Sequence, residues 1–318
     1  MKASRGMKTG AALLALGFVL LFAGCAALGF DFTRLDTHEY VDTAWESAEA
    51  FSAIRIVEDT ADISILPSSD GRCRVEVRER QDLPHSIQLQ DGTLQIEHSK
   101  ETNWLNRLFS FQLKDLSLRL YLPAERCAAL TIDSSTGDIS VSEGLSFDAA
   151  SIHLSTGDVE WAAACAKELA IDTSTGDVKI QSISAGDVEI SVHTGHIALE
   201  HVKGECVQLR STTGRISANM LNCTELDIKS TTGHVILSDA VVQGALSASA
   251  TTGDIRLVGC DASALRLKTD TGDITGELLS EKFFIAHSDT GRVRVPDTRN
   301  GGECRAETDT GHIELTIR

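Results

Sequence analysis

The sequence predicts an all-β protein built as a parallel β-solenoid, in which coils of about 19 residues contribute two strands each. Three observations predict this fold. A Thr-Gly step recurs at a nearly constant interval, apolar and polar residues alternate around each step, and helical periodicity is absent after the N-terminal segment apart from a short stretch near 103–109. An irregular N-terminal cap and one N-terminal transmembrane helix are predicted to precede the regular coils.

The Thr-Gly step is the basis of the repeat. Ten such steps in the second part of the chain form a series in which successive glycines are 19 or 20 residues apart. A fixed period of this length is the signature of a repeat architecture. The predicted turn glycines are Gly137, Gly157, Gly176, Gly195, Gly214, Gly233, Gly253, Gly272, Gly291 and Gly311.

The residues around each step alternate as strands do. Leu267 and Thr269 alternate with polar Lys268 and Asp270, and Ile274 continues the apolar set after the turn. A period of two marks strands with one buried face. Glycine suits the turn because a positive φ is costly for a residue with a Cβ atom, and threonine suits a strand end.

Two arrangements of these strands fit the pattern. A meander of hairpins is compatible with Gly-Asp turns, but it would leave the apolar face of a single sheet uncovered. A solenoid stacks equivalent strands and covers that face with a second sheet, so we favour the solenoid. Ten coils spaced by about 4.8 Å would form a rod on the order of 50 Å long.

The first thirty residues predict a membrane anchor. Lys2, Arg5 and Lys8 precede an uncharged run over 11–30, which as a helix would span roughly 30 Å, the thickness of a bilayer core. The flanking positive charges predict a cytoplasmic N-terminus and an extracytoplasmic C-terminal domain. Alternatively, "LFAGC" resembles a lipoprotein box in which Cys25 is lipidated. Either anchor places the protein in the cell membrane with its C-terminal domain outside.

The remaining chain divides into three predicted regions. Residues 31–51 form a mostly polar stalk, 52–126 form irregular capping coils, and 127–318 form the regular repeats. The segment 54–66 has the form of a coil, with Thr60-Ala61-Asp62 in place of Thr-Gly-Asp. A cap is expected because an open sheet end invites edge-to-edge aggregation.

Composition and motifs limit the function. A net charge of -17 argues against a nucleic-acid partner, because phosphate binding needs clustered cations. Seven cysteines follow Cys25 without any CxxC spacing, so they are interpreted as small buried fillers. Nucleophile-elbow, zincin and phosphate-loop motifs are absent from the sequence, so we predict no catalytic residue, no cofactor and no enzymatic activity.

A metal site has weak support in the sequence. The residues that follow the turn glycines form a column, and a calcium ladder would need a carboxylate at each of its positions. Arg215 and Arg292 interrupt this column, which argues against a calcium ladder. Asp270, Asp289 and Asp309 are the candidates for a weak Ca²⁺ site, because they would be spaced by about 4.8 Å and would repel without a cation.

Histidines and aromatic residues give two further candidates. His193, His196 and His201 share one coil, but their spacing matches no zinc motif. The stretch "NWLNRLFSF" contains Trp104 and Phe109, which are expected either to cover the end of the solenoid or to contact a partner.

Several stretches together resemble one bacterial family. "GFDFTRLDT" after the anchor, "DTADISILPSSDGRCRV", the serial "STGDI" units and the final "GGECRAETDTGHIEL" resemble the bacterial putative-adhesin family, a domain of unknown function. The resemblance covers about residues 30–318. It implies a solenoid fold, an envelope location, and adhesion or envelope-stress sensing, and it favours the retained helix over the lipoprotein. The family offers no established catalytic residues to transfer.

The sequence therefore predicts a membrane-anchored, extracytoplasmic surface protein that acts as an adhesin or binding module without catalysis. Its expected partner is a component of the cell envelope or of a host surface. One alternative is an envelope-stress sensor or regulator that acts through a membrane partner. A polysaccharide-acting enzyme is the remaining alternative, because residues of an active-site groove in such a fold would not form a sequence motif.

Overall fold

A computed structural model describes residues 38–99, 115–123 and 127–318, together with the isolated residues 17 and 19. The predicted anchor over 1–30, with Cys25, otherwise lies outside the described residues, and so do Trp104 and Phe109. Within the described part, no helix is long and apolar enough to cross a membrane.

The described residues form strands stacked in two sheets. The strands are β1 (Tyr40–Ser47), β2 (Ala53–Glu58), β3 (Asp62–Pro67), β4 (Cys73–Arg80), β5 (His85–Gln90), β6 (Thr93–His98), β7 (Ser117–Leu122), β8 (Cys127–Thr136), β9 (Ile139–Val141), β10 (Ser146–Thr156), β11 (Val159–Trp161), β12 (Ala164–Thr175), β13 (Val178–Gln181), β14 (Ala185–Thr194), β15 (Ile197–Glu200), β16 (Cys206–Thr213), β17 (Ile216–Asn219), β18 (Asn222–Cys223), β19 (Glu225–Thr232), β20 (Val235–Ser238), β21 (Val241–Thr252), β22 (Ile255–Thr271), β23 (Ile274–Leu278), β24 (Lys282–Thr290), β25 (Val293–Arg294), β26 (Gly302–Thr310) and β27 (Ile313–Ile317).

Successive coils lie parallel and in register, which confirms the solenoid over the meander. Strands that end at a Thr-Gly step, such as β12, β14 and β16, form one sheet, which we call the front sheet. Strands that begin after the step, such as β13, β15 and β17, form the back sheet. The threonines of successive steps pair directly, as Thr175 does with Thr194 and Thr194 with Thr213.

The core lies between the two sheets and is aliphatic. Ile171, Ile190, Leu209 and Ile228 occupy equivalent positions in successive coils of the front sheet and are all buried. Like side chains therefore pack on like side chains along the axis, and each strand inside the stack has hydrogen-bonded neighbours on both sides. This is the consequence of the period-two alternation in the sequence.

The last two coils do not stack in chain order. Strand β26 pairs with β22 on one side and with β24 on the other, and β27 likewise pairs with both β23 and β25. The final coil is therefore inserted before the coil of Gly291, which becomes the outer end. Chain order alone would place the coil of Gly291 next to β22 and the final coil at the outer end. Every coil presents the same register, so the hydrogen-bond ladder is compatible with either order.

The N-terminal end has the same inverted order. Strands β2 and β3 form a regular coil between β8–β9 and the outer strands β6 and β7. The cap itself is antiparallel, because β4 pairs with β7, β5 with β6, and β1 with β4. Part of the predicted stalk is thus a strand, since β1 supplies the partner that the edge of β4 needs.

Candidate functional site

The turn glycines form a column in which the backbones of successive coils approach closely. Gly176, Gly195 and Gly214 have φ values of 142°, 143° and 144°. A Cβ atom added to Gly214 would lie 1.8 Å from the carbonyl oxygen of Gly195. The turn therefore requires glycine for two reasons, the positive φ and the absence of a side chain.

Wherever an Asp or His follows the turn glycine, its side chain accepts a hydrogen bond from the backbone of the next coil. Oδ1 of Asp138 accepts from the backbone N–H of Asp158 at 2.8 Å, and Oδ1 of Asp158 accepts from the N–H of Asp177 at 2.7 Å. Nδ1 of His196 accepts from the N–H of Arg215 at 2.9 Å. The structure shows an acceptor ladder that runs from coil to coil, which we call the turn ladder.

The two arginines of this column interrupt or end the turn ladder. Arginine has no acceptor atom, so Arg215 offers nothing to the N–H of His234, and the ladder resumes where Nδ1 of His234 accepts from Asp254 at 3.1 Å. The side chain of Arg292 likewise has no acceptor, and its coil is the outer end, where its backbone N–H donates to Nδ1 of His312 at 3.0 Å. The column is therefore structural, since its carboxylates and imidazoles bond to the backbone.

The three candidate calcium ligands lie on neighbouring strands of the front sheet. The inverted order of the last coils places Asp309 between Asp270 and Asp289. Asp289 lies 2.9 Å from Nε2 of His287, and Asp270 lies 3.9 Å from Nζ of Lys268. Among the described residues, no three His, Cys, Asp or Glu side chains are grouped so that they could hold a metal ion.

The three histidines of one coil have separate places. His196 belongs to the turn ladder, His201 has a φ of 55° in the second turn of its coil, and His193 is exposed on the front sheet. No metal-ligand group includes them in the part of the chain that the structure describes.

A buried cluster of ionisable side chains joins the cap to the first coil. Nε2 of His85 lies 2.6 Å from Oε2 of Glu58, and Nδ1 of His85 lies 2.7 Å from Oε2 of Glu79. The side chains of His85, Glu58 and Glu79 are 1%, 0% and 5% exposed. Oε1 of Glu58 also accepts from the backbone N–H groups of Asp59 and Thr60. We call Glu58, His85 and Glu79 the cap triad.

The environment of the cap triad favours its charged form. Burial alone would raise the pKa of Glu58, but the hydrogen bond and the charge of His85 outweigh it and lower that pKa below its usual value. Burial alone would lower the pKa of His85, but the bonds and charges of Glu58 and Glu79 raise it. Both ring nitrogens of His85 are therefore engaged, one by each glutamate side chain.

A groove of about 920 Å³ lies beside the cap triad, on the outer face of the front sheet. The turn between β4 and β5 and the end of β6 form its wall, and the ends of β2, β8, β10 and β12 form its floor. Nε2 of His98 is buried at this wall and bonds to no described group. The groove is lined by Val57, Glu58, Asp59, Thr60, Arg80, Leu83, His98, Asp133, Ser134, Ser135, Thr136, His153, Leu154, Ser155, Asp172 and Ser174.

The groove continues along the front sheet. A second depression of about 550 Å³ shares Asp172 and Ser174 with the first and extends to Thr251. We call the two together the axial groove, because they follow the column of strand ends along the solenoid axis. Strand register explains the alignment, since Asp133, His153, Asp172 and Ser191 pair in sequence from coil to coil.

The cysteines offer no reactive thiol among those whose pKa is shifted. Cys73 and Cys127 are buried near one another, and burial raises the pKa of Cys73 to about 12. Burial likewise raises the pKa of Cys223 and of Cys304 to about 12. A thiol with a raised pKa is a poor nucleophile, because the thiolate is the reactive form. All seven described cysteines are unpaired, as the interpretation of small fillers requires.

Sequence reasoning missed the cap triad and the axial groove. The triad joins residues 27 and 6 positions apart, in a region without a repeat period, so no spacing rule would select it. The sequence did contain a pattern that indicates the groove. A hydroxyl two residues before the turn glycine recurs at Ser155, Ser174, Thr212, Thr231 and Thr251, and this column could have been noticed beside the Thr-Gly column.

Comparisons with known proteins agree with this architecture. Residues 51–257, roughly two thirds of the chain, match the model of the Toastrack DUF4097 family. None of the curated proteins matches the chain.

Several solved structures are similar to the chain at low identity. A putative adhesin from Bacteroides fragilis is 13% identical, with 88% of this chain and 97% of that chain covered and a TM-score of 0.41. A putative adhesin from Parabacteroides distasonis is 13% identical, with coverage of 88% and 98% and a TM-score of 0.44. A third, from Parabacteroides merdae, is 12% identical, with coverage of 88% and 97% and a TM-score of 0.43.

Proposed function

The chain belongs to the Toastrack DUF4097 family, and we propose that it is an adhesin-type surface module that binds a ligand without transforming it. The observation that carries this proposal is the axial groove, a continuous surface on a rigid stack of parallel strands. A rigid scaffold with a long exposed face is how solenoid proteins present binding surfaces.

The chemistry beside the groove supports binding without turnover. Both ring nitrogens of His85 are engaged by carboxylates, so this imidazole has no free nitrogen with which to move a proton of a ligand. Burial raises the pKa of the Cys73 and Cys127 thiols, which disfavours nucleophilic attack by either.

We propose further that the domain faces outward and is tethered by its N-terminal segment. The support is the sequence of residues 1–30, with cations only before the apolar run. The expected partner is a component of the envelope or of a host surface. Protease added to intact spheroplasts should then degrade the domain, whereas a cytoplasmic marker protein survives. Survival of both would contradict the outward orientation.

Binding itself is tested with the purified full chain in detergent micelles, immobilised on beads. Beads should retain envelope fragments or host matrix in a saturable manner, and the retained material should keep its mass after overnight incubation. A matched preparation unfolded by heat serves as the control. Retention of neither material, or cleavage of the retained material, would contradict a non-catalytic binding module.

A further inference from the structure

The axial groove has the dimensions of a site for an extended polymer. It runs past eight successive coils, from the turn at Thr60 to Thr251. At about 4.8 Å per coil, its length is on the order of 35 Å. The turn between β4 and β5 closes one end through Leu83, and no described cap residue lines the second depression. A small molecule would occupy only a fraction of this length, so the shape favours a linear chain.

The side chains of the groove favour a ligand rich in hydroxyl groups. Ser155, Ser174, Thr212, Thr231 and Thr251 stand on successive or nearby coils, and none of them hydrogen-bonds another described protein group. Each hydroxyl is both a donor and an acceptor, which suits a ligand whose own hydroxyls are both. This column repeats at the coil spacing, so a polymer with a similar repeat would meet one polar group per unit.

An unpartnered ring nitrogen also lies at the wall of the groove. Nε2 of His98 is buried at the closed end and has no partner among the described residues. A buried polar group without a partner is costly, and a bound hydrogen-bonding ligand would remove that cost.

The charges of the groove disfavour a polyanion. Arg210 is bound to Glu189, and Lys229 lies 3.0 Å from Oδ2 of Asp227, so the two central cations are neutralised locally. Asp133 and Asp172 line the groove toward the cap, and the whole chain carries a net charge of -17. A polyuronate or a nucleic acid would be repelled there.

The backbone disfavours an extended peptide. Strands of the front sheet pair on both sides along the length of the groove, as β14 does with β12 and β16. Their N–H and C=O groups are therefore used within the sheet, and no free strand edge is available to a peptide in the groove. A neutral glycan needs no such edge.

Building on the proposed binding function, we propose that the axial groove holds a linear neutral polysaccharide, with its sugar units against successive coils and one end at the wall of Leu83 and His98. The ligand contacts the hydroxyl column along its length and is bound without bond cleavage. The charged residues Arg210 and Lys229 keep their protein partners in the complex.

The test uses the full chain in detergent micelles and isothermal titration with neutral oligosaccharides. The probes are cello-, malto-, laminari- and chito-oligosaccharides, each from the disaccharide to the octasaccharide, with oligogalacturonate as the polyanion. At least one neutral series should bind, with affinity that rises tenfold or more between the disaccharide and the hexasaccharide. Oligogalacturonate should not bind.

A matched pair of variants locates the site. Ser174→Trp places a large side chain at the junction of the two depressions and should weaken hexasaccharide binding at least tenfold. Glu160→Trp makes the same addition on an exposed strand of the back sheet and should leave binding unchanged. Both variants should keep the melting temperature of the wild type, since tryptophan is tolerated in strands.

The outcomes separate this inference from the proposed function. Equal affinity of Ser174→Trp and wild type, affinity independent of chain length, or preferential binding of oligogalacturonate would overturn the glycan groove. If envelope or host material is retained on beads but no neutral series binds, the glycan inference fails alone. If nothing is retained on beads, the binding function fails as well.

Discussion

At the residue scale, the turn glycine determines how closely coils can stack. The carbonyl oxygen of each turn glycine occupies the space where a Cβ atom of the next one would be, as at Gly195 and Gly214. The same column tolerates Ala61 in the first coil, where no neighbouring glycine carbonyl is in the way and φ is not positive. The motif is therefore a packing requirement, and it is repeated because the stack is repeated.

Replacement of Gly195 by alanine should destabilise the protein strongly. The new Cβ atom would lie 2.0 Å from the carbonyl oxygen of Gly176, at a φ of 143°. We expect a loss of about 3 kcal/mol or more in the free energy of unfolding, measured with urea. Gly144→Ala is the control, because its φ is 83° but nothing lies within 4 Å, and it should lose about 1 kcal/mol. Equal losses would show that close approach does not matter.

The turn ladder predicts a substitution that should stabilise the protein. Arg215→Asp would supply the acceptor that the N–H of His234 lacks in this column, so the two halves of the ladder would join. We expect the free energy of unfolding to rise by about 1 kcal/mol and the melting temperature to rise by roughly 2–4 °C. Arg292→Asp removes the same charge at the outer end, where no further coil follows, and should give no gain. A similar rise in both variants would mean that net charge is the cause.

At the element scale, the cap triad connects three strands that the repeat does not organise. Glu58 ends β2, Glu79 lies in β4 and His85 begins β5. A buried ionic cluster of this kind is weak evidence for stability, but removal of one member leaves uncompensated charge. His98 also contacts the triad, because its ring packs edge-on against that of His85, and nearby Arg80 is bound to Asp82.

The cap triad predicts a defined pH dependence. Since the folded pKa of His85 is raised, its contribution to the free energy of unfolding is complete below its unfolded-state pKa of 6.5 and is lost as the pH rises through the raised pKa. Since the folded pKa of Glu58 is lowered, its contribution is complete above 4.5 and is lost as the pH falls through the lowered pKa. The stabilisation by the triad is therefore greatest between pH 4.5 and 6.5.

His85→Gln tests this dependence. The free energy of unfolding of the variant should be lower than that of the wild type by on the order of 2 kcal/mol near pH 5.5. This difference in stability should shrink toward high pH and toward strong acid. Urea unfolding of both proteins across the pH range measures the difference. If the variant does not fold, the titration of His85 in the wild type, followed by NMR, must still give a pKa above 6.5. A pH-independent difference would contradict the charged triad.

At the scale of the whole molecule, the architecture follows from the sequence but the order of its end coils does not. The Thr-Gly period and the alternation of apolar residues predict two-strand coils, parallel stacking and an aliphatic core such as that around Ile190. These signals are identical in every coil, so they contain no information on which coil is next to which. The inverted order at both ends depends on the connections, and the groove depends on where the cap turn folds back.

The inverted C-terminal order predicts an unusual effect of truncation. Strands β24 and β25 pair only with β26 and β27 among the described residues. Deletion of 302–318 should therefore also release residues 282–294, although these precede the deletion. Hydrogen exchange of the shortened protein should show loss of protection at Phe284 and Ile285, with the strands before Leu278 still protected. Retained protection at Phe284 would mean that β24 pairs elsewhere.

The placement of both terminal coils inside the stack restricts how such a protein can change in length during evolution. A unit added directly before β2 or directly after β27 would find no free edge on the coil that it adjoins, because β2 and β26 already have neighbours on both sides. Duplication or loss of a 19- or 20-residue unit is compatible with the fold only within the interior, where Gly157 to Gly253 stack in chain order. Relatives with more or fewer units should therefore differ in the middle and share both ends.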